Sequence, residues 1–141
     1  MTPLRRLSGA SWLAPLRRTF GLAACGYATA HFGVYLVFDH FFDWRSITED
    51  VLERRYVTAG FASFVAMLPL AATSTRASIR RLGRRWITLH RLAYVAGIAA
   101  ALHFVWLAKA DLLAPLIHAG ILAVLLGARA LRLRRPGAAT A

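Results

Sequence analysis

Four apolar stretches alternate with short polar connections along this chain, covering roughly residues 19–38, 56–73, 86–108 and 113–131. At about 1.5 Å of rise per residue, each can cross a hydrocarbon core of about 30 Å. The expected fold is therefore an all-α integral membrane protein with four transmembrane helices. Pro69 lies inside the second stretch and should kink it, which neighbouring membrane helices tolerate. Pro115 lies in the first turn of the fourth, where its missing N–H costs nothing. Residues 1–18 carry Arg5, Arg6, Arg17 and Arg18 with Pro3 and Pro15. They lack the continuous apolar run of a cleavable signal peptide and read as a juxtamembrane connector. Residues 19–133 read as one membrane domain without internal repeats, and 134–141 as a disordered tail.

Composition agrees with the pattern: 58% of the 141 residues are hydrophobic and the mean hydropathy is +0.51. A net charge of +12 would suit a nucleic-acid binder, but a soluble basic domain mixes its arginines with polar residues. Here they stand in blocks between apolar runs, which is the membrane signature and excludes a nucleic-acid partner. The single cysteine, Cys25, lies in an apolar run; it can form no internal disulfide and reads as a small packing residue.

The same blocks give a direction. The N-terminal segment, the 76–85 loop with Arg91, and the tail hold most of the arginines and no acid. The opposite connections, 39–55 and 109–111, hold all six acids and only Arg45, Arg54, Arg55 and Lys109. The arginine-rich side should face the cytoplasm, with both termini inside and the first and third spans running outward. In the outer loop, Ser46 and Glu49 have capping-box spacing, so 47–54 reads either as a short surface helix with Trp44 at the interface or as an irregular acidic loop.

Ionisable residues inside a membrane are costly and usually functional, which turns attention to the histidines. His31 lies in the outer half of the first span, His90 and His103 on the third, His118 near the outer end of the fourth, and His40 in the outer loop. Thirteen residues separate His90 from His103, an advance of about 20 Å with a net turn of about 140°. Their imidazoles should therefore reach opposite leaflets. His31 follows Arg18 by the same interval, so on parallel helices His31 and His103 should face one another at one depth. A b-type haem held between two histidines fits there, and with no open axial site it moves electrons and does not bind oxygen. The alternative is that a buried histidine merely hydrogen-bonds a neighbouring helix. At the level of His90 the first helix offers Arg17 and Arg18. Arginine is a poor ligand but can bind a haem propionate or a flavin phosphate, so a second haem stays open. His118 reads as a surface hydrogen-bonder and His40 as solvated. Trp86, Trp106, Tyr35 and Tyr94, near span ends, read as an interfacial belt.

These residues also carry a resemblance. Arg17-Arg18-Thr19-Phe20-Gly21-Leu22 with Tyr27-Ala28 and His31, Pro69-Leu70-Ala71-Ala72-Thr73-Ser74, and Arg80-Arg81-Leu82-Gly83-Arg84-Arg85-Trp86 with Leu89-His90-Arg91-Leu92 and Tyr94 stand in order. His103-Phe104-Val105-Trp106 and Lys109-Ala110-Asp111 continue the series. The chain resembles the MsrQ family of ferric-reductase-like transmembrane proteins over about residues 2–133. The resemblance implies a membrane haem b subunit with His31, His90 and His103 as the haem-related histidines, and an associated flavin, FMN. It implies electrons drawn from the quinone pool or a flavin reductase and passed to MsrP, a periplasmic molybdopterin enzyme that reduces methionine sulfoxide in envelope proteins. It also implies a bacterial inner membrane. Such a subunit makes and breaks no substrate bond itself. Family members usually carry one or two spans before the segment that begins Thr2-Pro3-Leu4-Arg5-Arg6, so the chain is expected to be shortened on that side. A ferric or cupric reductase component and a non-redox membrane scaffold are the alternatives; the first would call for a flavoprotein partner, since the chain has no G-x-G-x-x-G signature.

Overall fold

The computed structural model describes residues 13–108 and 112–133. Every regular element in it is helical: α1 (Leu13–Val34), a π turn (Tyr35–Asp39), α2 (Trp44–Glu53), α3 (Arg55–Ala72), α4 (Arg76–Leu82), α5 (Arg84–Leu89), α6 (Leu92–Leu107) and α7 (Leu113–Leu133). Four segments are long and apolar enough to cross a membrane: Leu16–Asp39, Arg55–Ala72, Arg84–Leu107 and Leu113–Leu131. The architecture is that of a multi-pass membrane protein. Arg5, Arg6, Lys109 and Asp111, and the tail expected to be disordered, lie outside the described residues.

Three boundaries differ from the sequence reading. The first helix is already formed at Leu13, where the described residues begin, ahead of the expected start at 19. The outer loop does contain a helix, but it starts at Trp44, with Asp43 as the cap accepting from the Arg45 N–H at 3.1 Å. Ser46, expected as the cap, lies inside this helix, and Glu49 pairs instead with Arg45 one turn back. The third span is not one continuous α-helix. His90 and Arg91 form a turn between α5 and α6, with three-residue bonds from Arg91 N to Thr88 O (3.1 Å) and from Tyr94 N to Arg91 O (3.0 Å). Such tightening is a local 3₁₀ geometry, and it alters the simple helical offset expected between His90 and His103.

The bundle is built around α3, which packs along α6 and also receives α1 and α2, while α7 packs on α6. Phe32 of α1 anchors the α1–α3 seam, its ring 5.0 Å from Phe64 and 5.9 Å from Phe61. Such pairs contribute about 0.5–1.5 kcal/mol each beyond burial. At mid-depth the buried Ser63 hydroxyl donates to the Ala96 carbonyl of α6 at 2.9 Å. Cys25 is buried, as its apolar surroundings imply. Large side chains such as Phe20, Ile121 and Val124 face outward, which lipid accepts because its tails are as apolar as they are. α1 and α6 both lie against α3, yet their own backbones barely approach one another. That separation leaves a slot whose two walls carry His31 and His103.

Candidate haem site between two helices

His31 and His103 meet across this slot. Their ring centroids are 6.2 Å apart and the ring planes are inclined at 71°. A metal–imidazole bond of about 2 Å on each side, added to the two ring half-widths, spans roughly 6 Å. The spacing therefore suits one metal ion held between the two imidazoles.

The chemistry of the donors fits as well. His103, half-buried on α6, has Nδ1 at 2.7 Å from the Tyr56 carbonyl oxygen of α3. A carbonyl can only accept, so Nδ1 carries the proton and Nε2 keeps its lone pair. A metal-binding histidine is ordinarily set this way, its outer nitrogen donating to a backbone carbonyl or carboxylate. His31 lies on an exposed stretch of α1 and makes no hydrogen bond among the described residues, so its contact with the His103 ring is its defining neighbour. Phe32, Phe61 and Phe64 wall the same level with apolar rings.

The other sequence-identified residues are placed elsewhere. His90 donates Nδ1–H to the Trp86 carbonyl at 3.1 Å and stacks on the Trp86 ring with centroids 3.8 Å apart. Trp86 in turn donates its indole N–H to the Thr73 carbonyl at 3.0 Å, so Trp86 is a clasp between the end of α3 and α5 rather than only a member of a belt. Gly83, in the same motif, has φ of +50° and makes the turn between α4 and α5 that a side chain would strain. Arg17 and Arg18 lie exposed on the first turns of α1, and no second imidazole faces His90 among the described residues. His118 donates Nδ1–H to Ala114 of its own helix at 2.7 Å and touches Phe104 at 5.8 Å.

His40 corrects the sequence reading. It is not solvated: its side chain is only 9% exposed. Nε2–H donates to the Asp50 carboxylate at 3.0 Å, and the Ser46 hydroxyl lies 2.8 Å from Nδ1. The Tyr35 ring packs edge-on at 4.5 Å. Asp50 also receives the Arg54 guanidinium at 3.0 Å. That guanidinium donates to the Tyr56 hydroxyl at 3.2 Å; this bond, with Asp50 beside it, holds Arg54 above its ordinary pKa. The cluster ties the π turn, α2 and the start of α3 into one outer clasp. Inside it, Phe41 and Phe42 sit at φ of +47° and +61°, a region such bulky residues rarely adopt. Sequence reasoning missed the clasp because its members are six to ten residues apart in a loop, and no periodicity marks them. It also missed Gly60 of α3, whose neighbour across the helices is the His103 ring; a glycine inside an apolar helical run was the available signal.

Comparison with known proteins points the same way. The family model "Ferric reductase like transmembrane component" matches residues 1–101. The chain is 49% identical over 130 residues to a protein of Xanthomonas oryzae pv. oryzae, covering 92% of this chain and 60% of the relative. It is 49% identical over 144 residues to one of Rhodospirillum rubrum, covering 98% and 68%. It is also 49% identical over 142 residues to one of Bordetella pertussis, covering 99% and 69%. Each of the three is named "Protein-methionine-sulfoxide reductase heme-binding subunit MsrQ". The chain thus spans about 60% of the length of the Xanthomonas relatives. No solved structure matches it.

Proposed function

The chain belongs to the ferric-reductase-like transmembrane family and within it to the MsrQ proteins, and on that premise we propose that it is a haem b electron-transfer subunit of a methionine sulfoxide reductase system. The observation that carries this reading is the approach of His31 and His103 to 6.2 Å across a slot between helices that barely touch. A haem bound there would supply reversible one-electron transfer. The chain's own residues do the rest. His31 and His103 would hold the iron, the Tyr56 carbonyl fixes the tautomer of His103, and the rings of Phe32, Phe61 and Phe64 add apolar surface nearby. Burial and axial ligation are the levers by which such a protein sets a potential.

The reading places one haem in the outer half and both termini in the cytoplasm of a bacterial inner membrane, following the arginine bias. Arg17 and Arg18, near the inner end of α1, are assigned to a haem propionate or to the phosphate of FMN by charge alone. The quinone pool or a flavin reductase is the donor in this reading, and a periplasmic MsrP-like molybdoenzyme the acceptor. The docking face for that acceptor is the outer acidic edge: Asp39, Asp43, Glu49 and Glu53 are exposed. Asp50 is excluded from that face because it is committed to His40 and Arg54.

A pyridine haemochrome titration of the purified chain tests the proposal. One haem per chain is expected, with the optical spectrum of a low-spin bis-histidine iron. His118→Ala should leave both unchanged. A folded, haem-supplemented sample that stays colourless would overturn the reading, and so would retention of the low-spin spectrum in His31→Ala.

A further inference from the structure

Gly60 lies in the interior of α3, where glycine is the poorest helix former apart from proline. The geometry around it is unlike that of any other described glycine. A Cβ built at position 60 would meet His103 Nδ1 at 2.6 Å, Cε1 at 2.9 Å and Cγ at 3.2 Å. Gly21, Gly26, Gly33, Gly120 and Gly127 meet nothing within 4 Å, and Gly97 meets only Leu122 at an ordinary 3.8 Å. The atoms crowded at position 60 belong to a rigid ring, and that ring is already tethered by its Nδ1–H to the Tyr56 carbonyl at 2.7 Å. In helical register, the Tyr56 carbonyl is the one four residues before Gly60. The imidazole therefore lies flat on one turn of α3 backbone, over the spot that a side chain would fill, and donates into that same turn.

We propose that Gly60 is a positioning residue for His103. Its missing Cβ lets the imidazole reach the Tyr56 carbonyl and so present Nε2 across the slot toward His31. The inference rests on the reading that His31 and His103 share one haem, and it adds what sets the second ligand. Among the described residues no carboxylate holds His103; α3 backbone does, and it can do so only where α3 has no side chain. Donation from Nδ1 makes Nε2 a stronger donor to metal, which favours the oxidised iron. A side chain at position 60 must push the ring off its carbonyl, weaken that donation and tilt Nε2 away from its axis.

The test uses the full chain in lipid nanodiscs, loaded with haem b. Gly60→Ala should lower haem affinity by about 10–100-fold, the range for losing an outer-shell partner of a metal-binding histidine. The haem that remains should show a raised reduction potential and a partial shift from low-spin to high-spin in its optical and electron paramagnetic resonance spectra. Gly97→Ala should match the unmodified chain in all three readouts. Helix packing is separated from ligand placement in a second background, His103→Gly with imidazole added from solution. A detached imidazole can choose its own position, so adding Gly60→Ala there should not change the imidazole concentration that restores the low-spin spectrum. Wild-type affinity, potential and spectrum in Gly60→Ala would overturn the proposal. It would equally be overturned if Gly60→Ala blocked imidazole rescue, since the glycine would then serve the fold rather than the ligand. A low-spin spectrum surviving in His103→Ala would instead remove the haem assignment on which it rests.

Discussion

His103, near the C-terminal end of the third span, donates to the backbone of α3 and faces His31 of α1. His90, thirteen residues earlier in that span, donates to the carbonyl of its own Trp86 and stacks on its ring. The two histidines look equivalent in the sequence, one per leaflet, yet one reaches across the bundle and the other turns back on its own helix. The difference lies in what the neighbours offer at each level. Around His103 a glycine on α3 clears a seat for the ring and α1 supplies a second imidazole. At the other end of the span a tryptophan occupies one face of the ring, and no second imidazole stands beside it among the described residues. Identical residue types at regular spacing thus give a facing imidazole pair at one level and a ring stacked on its own span at the other.

The sharpest way to break this contrast is to exchange the roles by mutation. His103→Ala or His31→Ala should abolish the low-spin haem, a loss of at least about a hundredfold in affinity. His90→Ala should retain it, and haem titration followed by optical spectra decides. A spectrum lost on His90→Ala but kept on His31→Ala would invert the assignment. Next in size come the clasps at the two ends. Asp50→Asn keeps the shape of the outer clasp but removes the charge that His40 and Arg54 share; a cost of about 2 kcal/mol is expected. Most of it belongs to the His40 contact, because the Arg54 side chain is 56% exposed and its pair is weakened by screening. Thermal unfolding in detergent micelles measures it. At the inner end, Trp86→Phe keeps the ring over His90 but removes the indole bond to Thr73, a loss of about 1 kcal/mol by the same assay with haem content unchanged. The smallest effect is expected between the two ends, where Ser63→Ala removes the hydroxyl bond to Ala96. Bonds between membrane helices average about 0.6 kcal/mol, so stability should fall slightly and the spectrum should not move.

Much of this was legible from one dimension. Apolar length located the four spans, and helical spacing put His31 and His103 at one level. The capping residue of α2 was misread because two candidates, Asp43 and Ser46, lie within one turn, and Ser46 is recruited by His40. His40 itself was misread because an exposed-looking loop histidine beside acids is ordinarily hydrated. Only the fold of the π turn brings Ser46 and Asp50 onto its ring. The inner tryptophan was read as interfacial, and its bond to Thr73 joins residues that no local pattern links.

What the order of residues settled alone was membrane residence and the four apolar spans found among the described residues. These follow from the length and charge of segments, which the bilayer reads segment by segment. What required the packed structure was which imidazole keeps a lone pair toward the slot, and why. That depends on α3 lying between α1 and α6, on the Tyr56 carbonyl pointing at Nδ1, and on the absence of a single carbon at Gly60. Contacts of this kind join residues distant along the chain, and periodicity within one helix carries no information about them.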